Sequence, residues 1–492
     1  MTNLLITELP AHARIVIVGG GMAGLELAAE LERRGQTGVL VLEAGPAADP
    51  RHVSYAYDPE KAAEVSSQPE SDEYFRRSWT SDSPPFYDRN SGLRARLGGR
   101  SLYWFGLVLP LEPWALAGSA WPASIVADLT ESWRGGRSLY DRLSDDLGVP
   151  LRGYIDPADA GPETITLGGH VFGPAPRAYR GTDDRWCAYS PLDHWRDPQT
   201  GESVGARGGV EVACDTEVES VVVGGGRATG VRVRRADTGE IHDITADAVV
   251  LCAGTVDSGR LAIDAIQQAE PSAPAHLFGL SDHLAQGFAV EVEPGAAPDS
   301  PLRLGSFTAV GDGSARSNFF LEVEPTEDGR WRVTVTTLGE QEPGANGLIR
   351  VPGEAGDQWR VRAEIGPRDR DVLRAQQEEL ERIWEAVRHL YDLKPHRLEF
   401  AEYGAASPSS DVPPGTPYTG KSTLGTLQHE GCLVRIGDTL DSDQQFVAVA
   451  NLYAAGPTTF PRMGAANPTL TTLALSRRLG AHLADRPGSA DR

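Results

Sequence analysis

The sequence of 492 residues contains no apolar run of the roughly 18 residues needed to cross a membrane. Its first residues, MTNLLITELPAHAR, hold no basic region with an apolar core and no twin arginine, so they do not read as a secretory leader. Cysteine is scarce. Cys187, Cys214, Cys252 and Cys432 lie far apart without C-x-x-C spacing, which argues against both a disulfide framework and a cysteine zinc site, and no metal is expected. A C-x-x-x-x-C redox pair and a second G-x-G-x-x-G are also missing, which argues against a disulfide reductase. Positive charge is outnumbered: 46 Lys and Arg face 69 Asp and Glu, a formal net charge of −23. A nucleic-acid partner needs a basic face and is excluded. The acidic balance mildly favours a neutral or cationic substrate, although an acidic solvated surface explains it more simply. Internal repeats are absent. The apolar fraction of 40% and the aromatic fraction of 7% suit an ordinary globular chain expected in the reduced cytoplasm. The length exceeds one core and implies two domains, with a discontinuous boundary allowed.

What is present is concentrated first in residues 14–45. Ile15 to Val18 is a short β-branched run, as expected of a parallel strand buried on both faces. It enters Gly19-Gly20-Gly21-Met22-Ala23-Gly24, a match to G-x-G-x-x-G. Leu25, Leu27, Ala28 and Leu31 then mark one face of a helix, and Gly35 follows its basic end as a C-terminal cap. A second apolar run, Val39 to Leu42, ends at Glu43. Glycines in this position permit a tight turn, close approach of a pyrophosphate and close helix–sheet packing, with the helix N-terminus facing the phosphates. Glu43 is placed to accept hydrogen bonds from an adenosine ribose, which favours FAD or NAD over NADP.

Residues 47–90 are rich in Pro, Ser and Asp and read as a long surface excursion of the kind that is usually functional. The stretch Arg96 to Gly106 places Gly98, Gly99 and Ser101 beside aromatic residues. It fits either a backbone brought close to a flat ligand or a glycine turn before a core strand. Residues 120–147 read as helical, through Leu129, Trp133, Leu139, Leu143 and Leu147, and residues 150–205 as irregular. From 210 to 254 the alternation and a glycine-rich turn imply an antiparallel β-meander, closing on a buried strand that ends at Ala253-Gly254. Residues 286–365 hold further strand-like runs and form a separate antiparallel block. Residues 368–391 form an amphipathic helix with Val372, Leu380, Ile383, Trp384, Val387 and Leu390 inward. Residues 404–422 read as a pocket-edge loop, and the tail from Pro487 as disordered.

Chemistry-bearing residues gather near the end of the chain. His429 stands in a glycine-containing segment, and Asn467-Pro468-Thr469 opens a helix whose free N-terminus suits an anion or a carbonyl. One dinucleotide fold, a histidine in that context and a second helix N-terminus suit a flavoenzyme that oxidises alcohols. A base there takes the hydroxyl proton while hydride leaves for the flavin. A histidine titrates near working pH, so His429 is the candidate base; a satisfied structural histidine is the competing reading.

These residues together resemble the glucose–methanol–choline (GMC) family of FAD-dependent oxidoreductases over nearly the whole chain. The N-terminal fingerprint matches Gly19, Gly21, Gly24 and Glu43. A second FAD-contacting turn resembles Gly98 to Trp104, and Val218 falls where the family has a valine whose backbone meets the adenine. The second signature is similar to AGTVDSGRLA from Ala253. The motif H-x-x-G-T-x-R-M-G is matched at His429, Arg435 and Gly437, and the tail motif at Asn451 to Tyr453, Phe460-Pro461 and Asn467 to Leu470. The pattern G-G-x-S-x-x-W looks nearest to the pyranose oxidase branch.

The resemblance implies an α/β fold: a Rossmann-like FAD-binding domain with a β-meander (1–110, 165–280 and 438–492) and an α+β substrate domain on an antiparallel sheet (281–437 with parts of 50–90 and 111–164). It implies FAD contacts from Gly19, Gly21, Met22, Ala23, Gly24, Glu43, Ala44, Gly98, Gly99, Ser101, Val218, Ala253, Gly254, Gly456, Pro468 and Thr469. His429 is implied as the base and Asn467 as the second active-site residue, hydrogen-bonding the substrate oxygen. Tyr103 stands where the pyranose oxidase pattern has the histidine bonded to flavin, so noncovalent FAD is expected. The usual Gly-Thr of the catalytic motif is Cys432-Leu433, and its Met is Ile436, which leaves the local pocket shape open. Asp282-His283 resembles a D-H pair that the family does not use for chemistry and is expected to be structural. The implied substrate is a hydroxyl on a sugar-like or amino-sugar small molecule, such as an aminoglycoside-pathway intermediate, with oxygen or another carrier as electron acceptor. A hydroxynitrile lyase with structural FAD, and oxidation of a non-sugar alcohol such as choline, are the alternatives.

Overall fold

Every side chain of the strand Val39–Leu42 is buried, and so are those of Ile15 to Val18 in its neighbour His12–Val18, because helices and loops cover this sheet on both faces. The computed structural model describes residues 4–118, 120–151, 163–181, 185–204, 208–293, 301–307, 315–353, 357–403 and 411–486. His12–Val18 lies between Val39–Leu42 and Ile241–Leu251, parallel to both. Alternation along these strands feeds two cores. Ile15, Ile17, Val39, Val41 and Val250 face one; Val16, Val18, Leu40, Leu42, Val249 and Leu251 face the other. Val210–Ala213 and Leu452–Ala454 extend the sheet, also in parallel. The run at Val210, read from the sequence with the meander, therefore belongs to the parallel sheet. The meander itself is Thr216–Gly224, Arg227–Arg235 and the first half of Ile241–Leu251.

The helix Met22–Arg33 carries the chain from the first strand to the second. It stops as its sequence implies. Gly35 takes φ +71, its N–H bonds to the Glu32 carbonyl and that of Gln36 to Leu31, which is a Schellman cap. Against it packs the C-terminal helix Thr469–Asp485, joined through the buried pair Arg477–Glu26 at 2.6 Å.

The second sheet is antiparallel and runs Tyr418–Ser422, His283–Val292, Trp331–Glu340, Ser317–Pro325, Leu302–Ser306, as the segregated strand block leads one to expect. It continues into His170–Pro174 and Ile165–Leu167. Those two short strands were expected with the dinucleotide domain; the open edge of Leu302–Ser306 takes them instead, and Phe172 is buried in this core. One face is covered by the helix Pro367–Leu390, whose Leu380, Ile383, Trp384 and Val387 meet Phe288, Val290, Phe319, Leu321, Val333 and Val335. Leu390, expected inward, is 58% exposed because the last turn of the helix runs past its final buried contact at Val387.

Two other regions add to the sequence reading. Residues 47–90 hold the helices Val53–Ala56 and Pro59–Ser67, and they insert Trp79 and Tyr87 into a small core with Val256, Leu280, Leu348 and Leu433. Most of the segment is exposed or half-buried, as a surface excursion should be, and these two aromatics pin it to that core. Residues 120–147 form two helices, Ala123–Thr130 and Leu139–Leu147, the second started by the Ser138 hydroxyl accepting from the Asp141 N–H. Residues 404–410 and the tail from Pro487 lie outside the described residues.

Trp384 is fully buried and donates its indole N–H to the His396 carbonyl at 2.8 Å. Trp384→Ala is expected to lower stability by about 3–5 kcal/mol, measured by chemical denaturation; a loss under about 1 kcal/mol would mean that this helix is not the anchor of the second sheet.

Candidate active site

Three segments meet at the C-terminal ends of the central strands. The Gly19 N–H bonds to the Leu42 carbonyl, the Cys252 N–H to Val18 and the Gly98 N–H to Gly20, each at 2.8 Å. Only glycine fits this crossing. A Cβ on Gly19, which has φ +107, would stand 2.8 Å from the Cys252 carbonyl carbon, and one on Gly24 would fall on the Gly19 carbonyl oxygen. Glu43 braces the loop, since its carboxylate accepts from the N–H groups of Gly20 and Gly45, both at 2.9 Å. Burial pushes its carboxyl up to about 7, and those two hydrogen bonds oppose the shift. Ala44 beside it is exposed. Val218 is buried just before a bulge in its strand, and Thr216 of the same strand donates its N–H to the Glu43 carbonyl.

The helix Met22–Arg33 begins at Gly21 with no side-chain cap, which leaves its first N–H groups unpaired by the helix. Thr255–Ala269 after Gly254 (φ +77) and Thr469–Asp485 after Pro468 also begin without a side-chain cap. Ala253 lies against Gly19, and a Cβ on Gly456 would stand 3.6 Å from that of Ala23. In the turn Gly98–Leu102, Gly98 and Gly99 both take positive φ. The Ser101 hydroxyl is committed to the Gly98 carbonyl (2.6 Å) and the Ser190 hydroxyl (2.7 Å), so this residue can meet a ligand only through its backbone. Tyr103 is buried, with the Arg94 guanidinium 4.6 Å from its ring centre and Arg96 donating to its hydroxyl.

His429 sits in a loop held from several sides. Gly431 and Ser281 exchange backbone hydrogen bonds, the Cys432 N–H donates to Pro457, and the Thr255 hydroxyl donates to the Glu430 carbonyl. Arg100 reaches over from the Gly98–Leu102 turn to the Glu430 carboxylate (2.7 Å) and the Gln428 carbonyl (3.2 Å). The Nε2 of His429 faces the Asn467 Nδ2 at 3.4 Å, while the Asn467 Oδ1 is buried with no partner. The other ring nitrogen, Nδ1, lies 2.8 Å from Nδ1 of His283. Burial first, then His283 and Arg100, hold the His429 imidazole well below the ordinary histidine range, so it is neutral at working pH.

The sequence reading brought out His429 and Asn467, and the fold brings them together across 38 residues. Of Asp282-His283, expected to be structural, His283 lies against His429, because its strand starts beside the His429 loop, where Ser281 pairs with Gly431. Arg100 and Glu430 were passed over, although each adjoins a motif that was recognised; nothing local pairs residues 330 positions apart. Also missed were Glu340 and Glu112. Glu340 accepts from Arg462 and the Gly464 N–H, and Glu112 from the Ala465 N–H and Asn318. Among the described residues there is no group of metal-binding side chains, and no helix is long and apolar enough to cross a membrane.

Comparison with known proteins supplies the family. The model of the FAD dependent oxidoreductase family matches residues 14–465. No curated protein matches the chain. Among solved structures, pyridoxine 4-oxidase from Mesorbium loti shares 18% identity, with a TM-score of 0.61 over 96% of this chain and 99% of that one. A formate oxidase from Aspergillus oryzae shares 14% identity, with a TM-score of 0.63 over 96% of this chain and 98% of that one. At such identities the likeness is one of fold, and that fold agrees with the GMC fold that the sequence resemblance implies. With the family model spanning the glycine loop, both sheets and the His429 loop, the chain belongs to the FAD-dependent oxidoreductases.

Proposed function

We propose that the protein oxidises a hydroxyl group of a sugar-like or amino-sugar small molecule, with His429 as base and Asn467 as partner of the reacting oxygen. The observation that carries this reading is the meeting of His429 Nε2 and Asn467 Nδ2, joined to the glycine loop through Arg100 and the Gly98 turn. A hydroxyl placed between those two nitrogens gives its proton to Nε2 and accepts from Nδ2 as negative charge develops on oxygen. The neutral imidazole needs no prior deprotonation, and its lone pair is ready. When bound, FAD supplies the two-electron acceptor for the hydride.

The residues present fit that cofactor. Gly21 has φ −97 and ψ −161, a conformation open to any residue, yet a Cβ there would meet nothing within 4 Å. The cradle opens at that point, at an uncapped helix N-terminus suited to a pyrophosphate. The holders are the Gly19–Gly24 loop with Met22 and Ala23, Glu43 and Ala44, the Gly98–Gly99 turn and the Ser101 backbone, Val218, Ala253-Gly254, Gly456 and Pro468-Thr469. Tyr103, wedged among arginines, has no reactive nitrogen to offer, which supports noncovalent attachment. The sugar assignment rests on the pyranose oxidase-like pattern and on the net charge of −23, which suits a neutral or cationic substrate. Four buried, unpaired cysteines suit the reducing cytoplasm. Likeness of fold to two oxidases makes oxygen the first acceptor to try.

The deciding experiment is anaerobic flavin absorbance against neutral sugars, amino sugars, choline, pyridoxine and cyanohydrins. Bleaching by the sugars or amino sugars is expected. Bleaching by pyridoxine or choline alone would replace the substrate class, and cyanohydrin cleavage without bleaching would replace oxidation by a lyase. Gly21→Val should fold with an unchanged circular dichroism spectrum but lose the flavin absorbance that co-purifies with the wild type; full flavin content would move the pyrophosphate elsewhere. His429→Ala, with FAD retained, should slow flavin reduction by about 10²–10⁴-fold, and near-normal reduction would remove His429 as base. Because the pKa of His429 is depressed, kcat/KM should stay level as pH falls through 6.5 and decline only at more acid pH. An acid limb at or above 6.5 would contradict the neutral-base reading.

A further inference from the structure

His283 is 1% exposed at the start of its strand. Its Nε2 lies 3.1 Å from the Gly464 carbonyl oxygen. A carbonyl only accepts, so Nε2 of His283 must carry a hydrogen. A neutral imidazole holds one ring hydrogen, so Nδ1 of His283 is a lone pair. That lone pair is 2.8 Å from Nδ1 of His429, which makes Nδ1 of His429 the donor and leaves Nε2 of His429 unprotonated, facing Asn467. The Gly464 carbonyl thus sets both tautomers in turn. We infer that His283 is a positioning residue: it accepts the Nδ1–H of His429 and so presents the Nε2 lone pair to the substrate hydroxyl. This rests on His429 being the base.

The surroundings enforce the arrangement. Asp282 accepts the His283 N–H at 2.7 Å and the Gly425 N–H at 2.6 Å, which fixes the start of the strand and spends both carboxylate oxygens away from the rings. Burial lowers the His283 pKa to about 4, with the Gly464 bond opposing, so the ring stays neutral. The Gly464 carbonyl is itself held, because the N–H groups of Gly464 and Ala465 are claimed by Glu340 and Glu112. The other charged groups around His429 are Arg100 and Glu430, and these pair with each other at 2.7 Å. The rings stand at 89°, centroids 5.0 Å apart, so the contact is a hydrogen bond in the plane of one ring rather than a stack. When the substrate proton reaches Nε2, His429 becomes an imidazolium whose Nδ1–H is already bonded; His283 gains and loses no proton.

The test compares His283→Leu, which fills the volume without an acceptor, with His283→Asn, whose Oδ1 replaces Nδ1 as acceptor. Anaerobic flavin reduction by the best substrate of the panel is measured with each holoenzyme, giving a limiting rate and a substrate dissociation constant. His283→Leu should lower the limiting rate by about 10–100-fold, the scale of losing a group that orients a functional histidine, with the dissociation constant within about threefold. His283→Asn should keep the rate within about threefold of wild type. Equal losses in both variants, or full activity in His283→Leu, would overturn the inference. Should His283→Leu fail to retain FAD, His283→Asn decides alone: a retained rate supports the inference, and a loss beyond tenfold overturns it. A normal rate in His429→Ala would instead remove the base assignment, which separates the two failures.

Discussion

The contact on which everything else depends is the near-touch of two backbones, Gly19 against Cys252. The first strand and the Ile241–Leu251 strand run in parallel and end side by side, with Cys252 N–H bonded to Val18 and Gly19 N–H to Leu42. With no Cβ at Gly19 or Gly24, the chain turns over these strand ends and starts a helix at once. The helix therefore presents unpaired N–H groups at the rim of the sheet. The same loop offers the Gly20 carbonyl to the Gly98 turn, and that turn carries Arg100 across to the His429 loop. One close approach thus sets both the uncapped helix start at the glycine loop and, at one remove, the place of His429.

The surroundings of His429 and His283 keep charge off both rings. Two acids lie close, Asp282 and Glu430, and both are occupied elsewhere: Asp282 by backbone N–H groups, Glu430 by Arg100. A carboxylate on Nδ1 of His429 would raise its pKa and favour the imidazolium before substrate arrives. A neutral imidazole in that place orients the ring without that bias. On the proposed reading the cost is a more acidic imidazolium after proton transfer, which suits a substrate oxygen that goes on to a neutral carbonyl.

The nucleotide half was legible because its information is contiguous. Strand, glycines, helix, cap and acid fall within about thirty residues, and each obeys a local rule. The helix Pro367–Leu390 was legible for the same reason, apart from Leu390, where periodicity continues after the packing partner has ended. The surface course of residues 47–90 was legible from their polar composition, but their anchors were not, because short helices and single buried aromatics leave no period. In the catalytic half, His429 and Asn467 could be found from their motifs. His283 stands 146 residues from His429, and no spacing rule couples a strand's first residue to a loop that far along the chain. Its meaning lies in which ring nitrogen faces a carbonyl, and that exists only in three dimensions.

Cys432 shows the same limit from the other side. Its departure from the glycine of the family pattern could be read at once, but what it meant could not. Here Cys432 takes φ +61, in the left-handed region, as does Gln428 at φ +58 on the other side of His429. Side chains in that region cost on the order of 1–3 kcal/mol and persist only where the surroundings over-determine them. They are over-determined. The N–H groups of Cys432, Val434 and Ile436 bond in step to the carbonyls of Pro457, Thr458 and Thr459, and Gly431 is tied to Ser281. With the Cys432 side chain fully buried, the strain is balanced by packing, and the loop holding His429 has little freedom left. Packing and backbone hydrogen bonds thus hold the loop on both sides of His429, and they keep its ring beside Asn467 in a sequence where three residues of the motif differ.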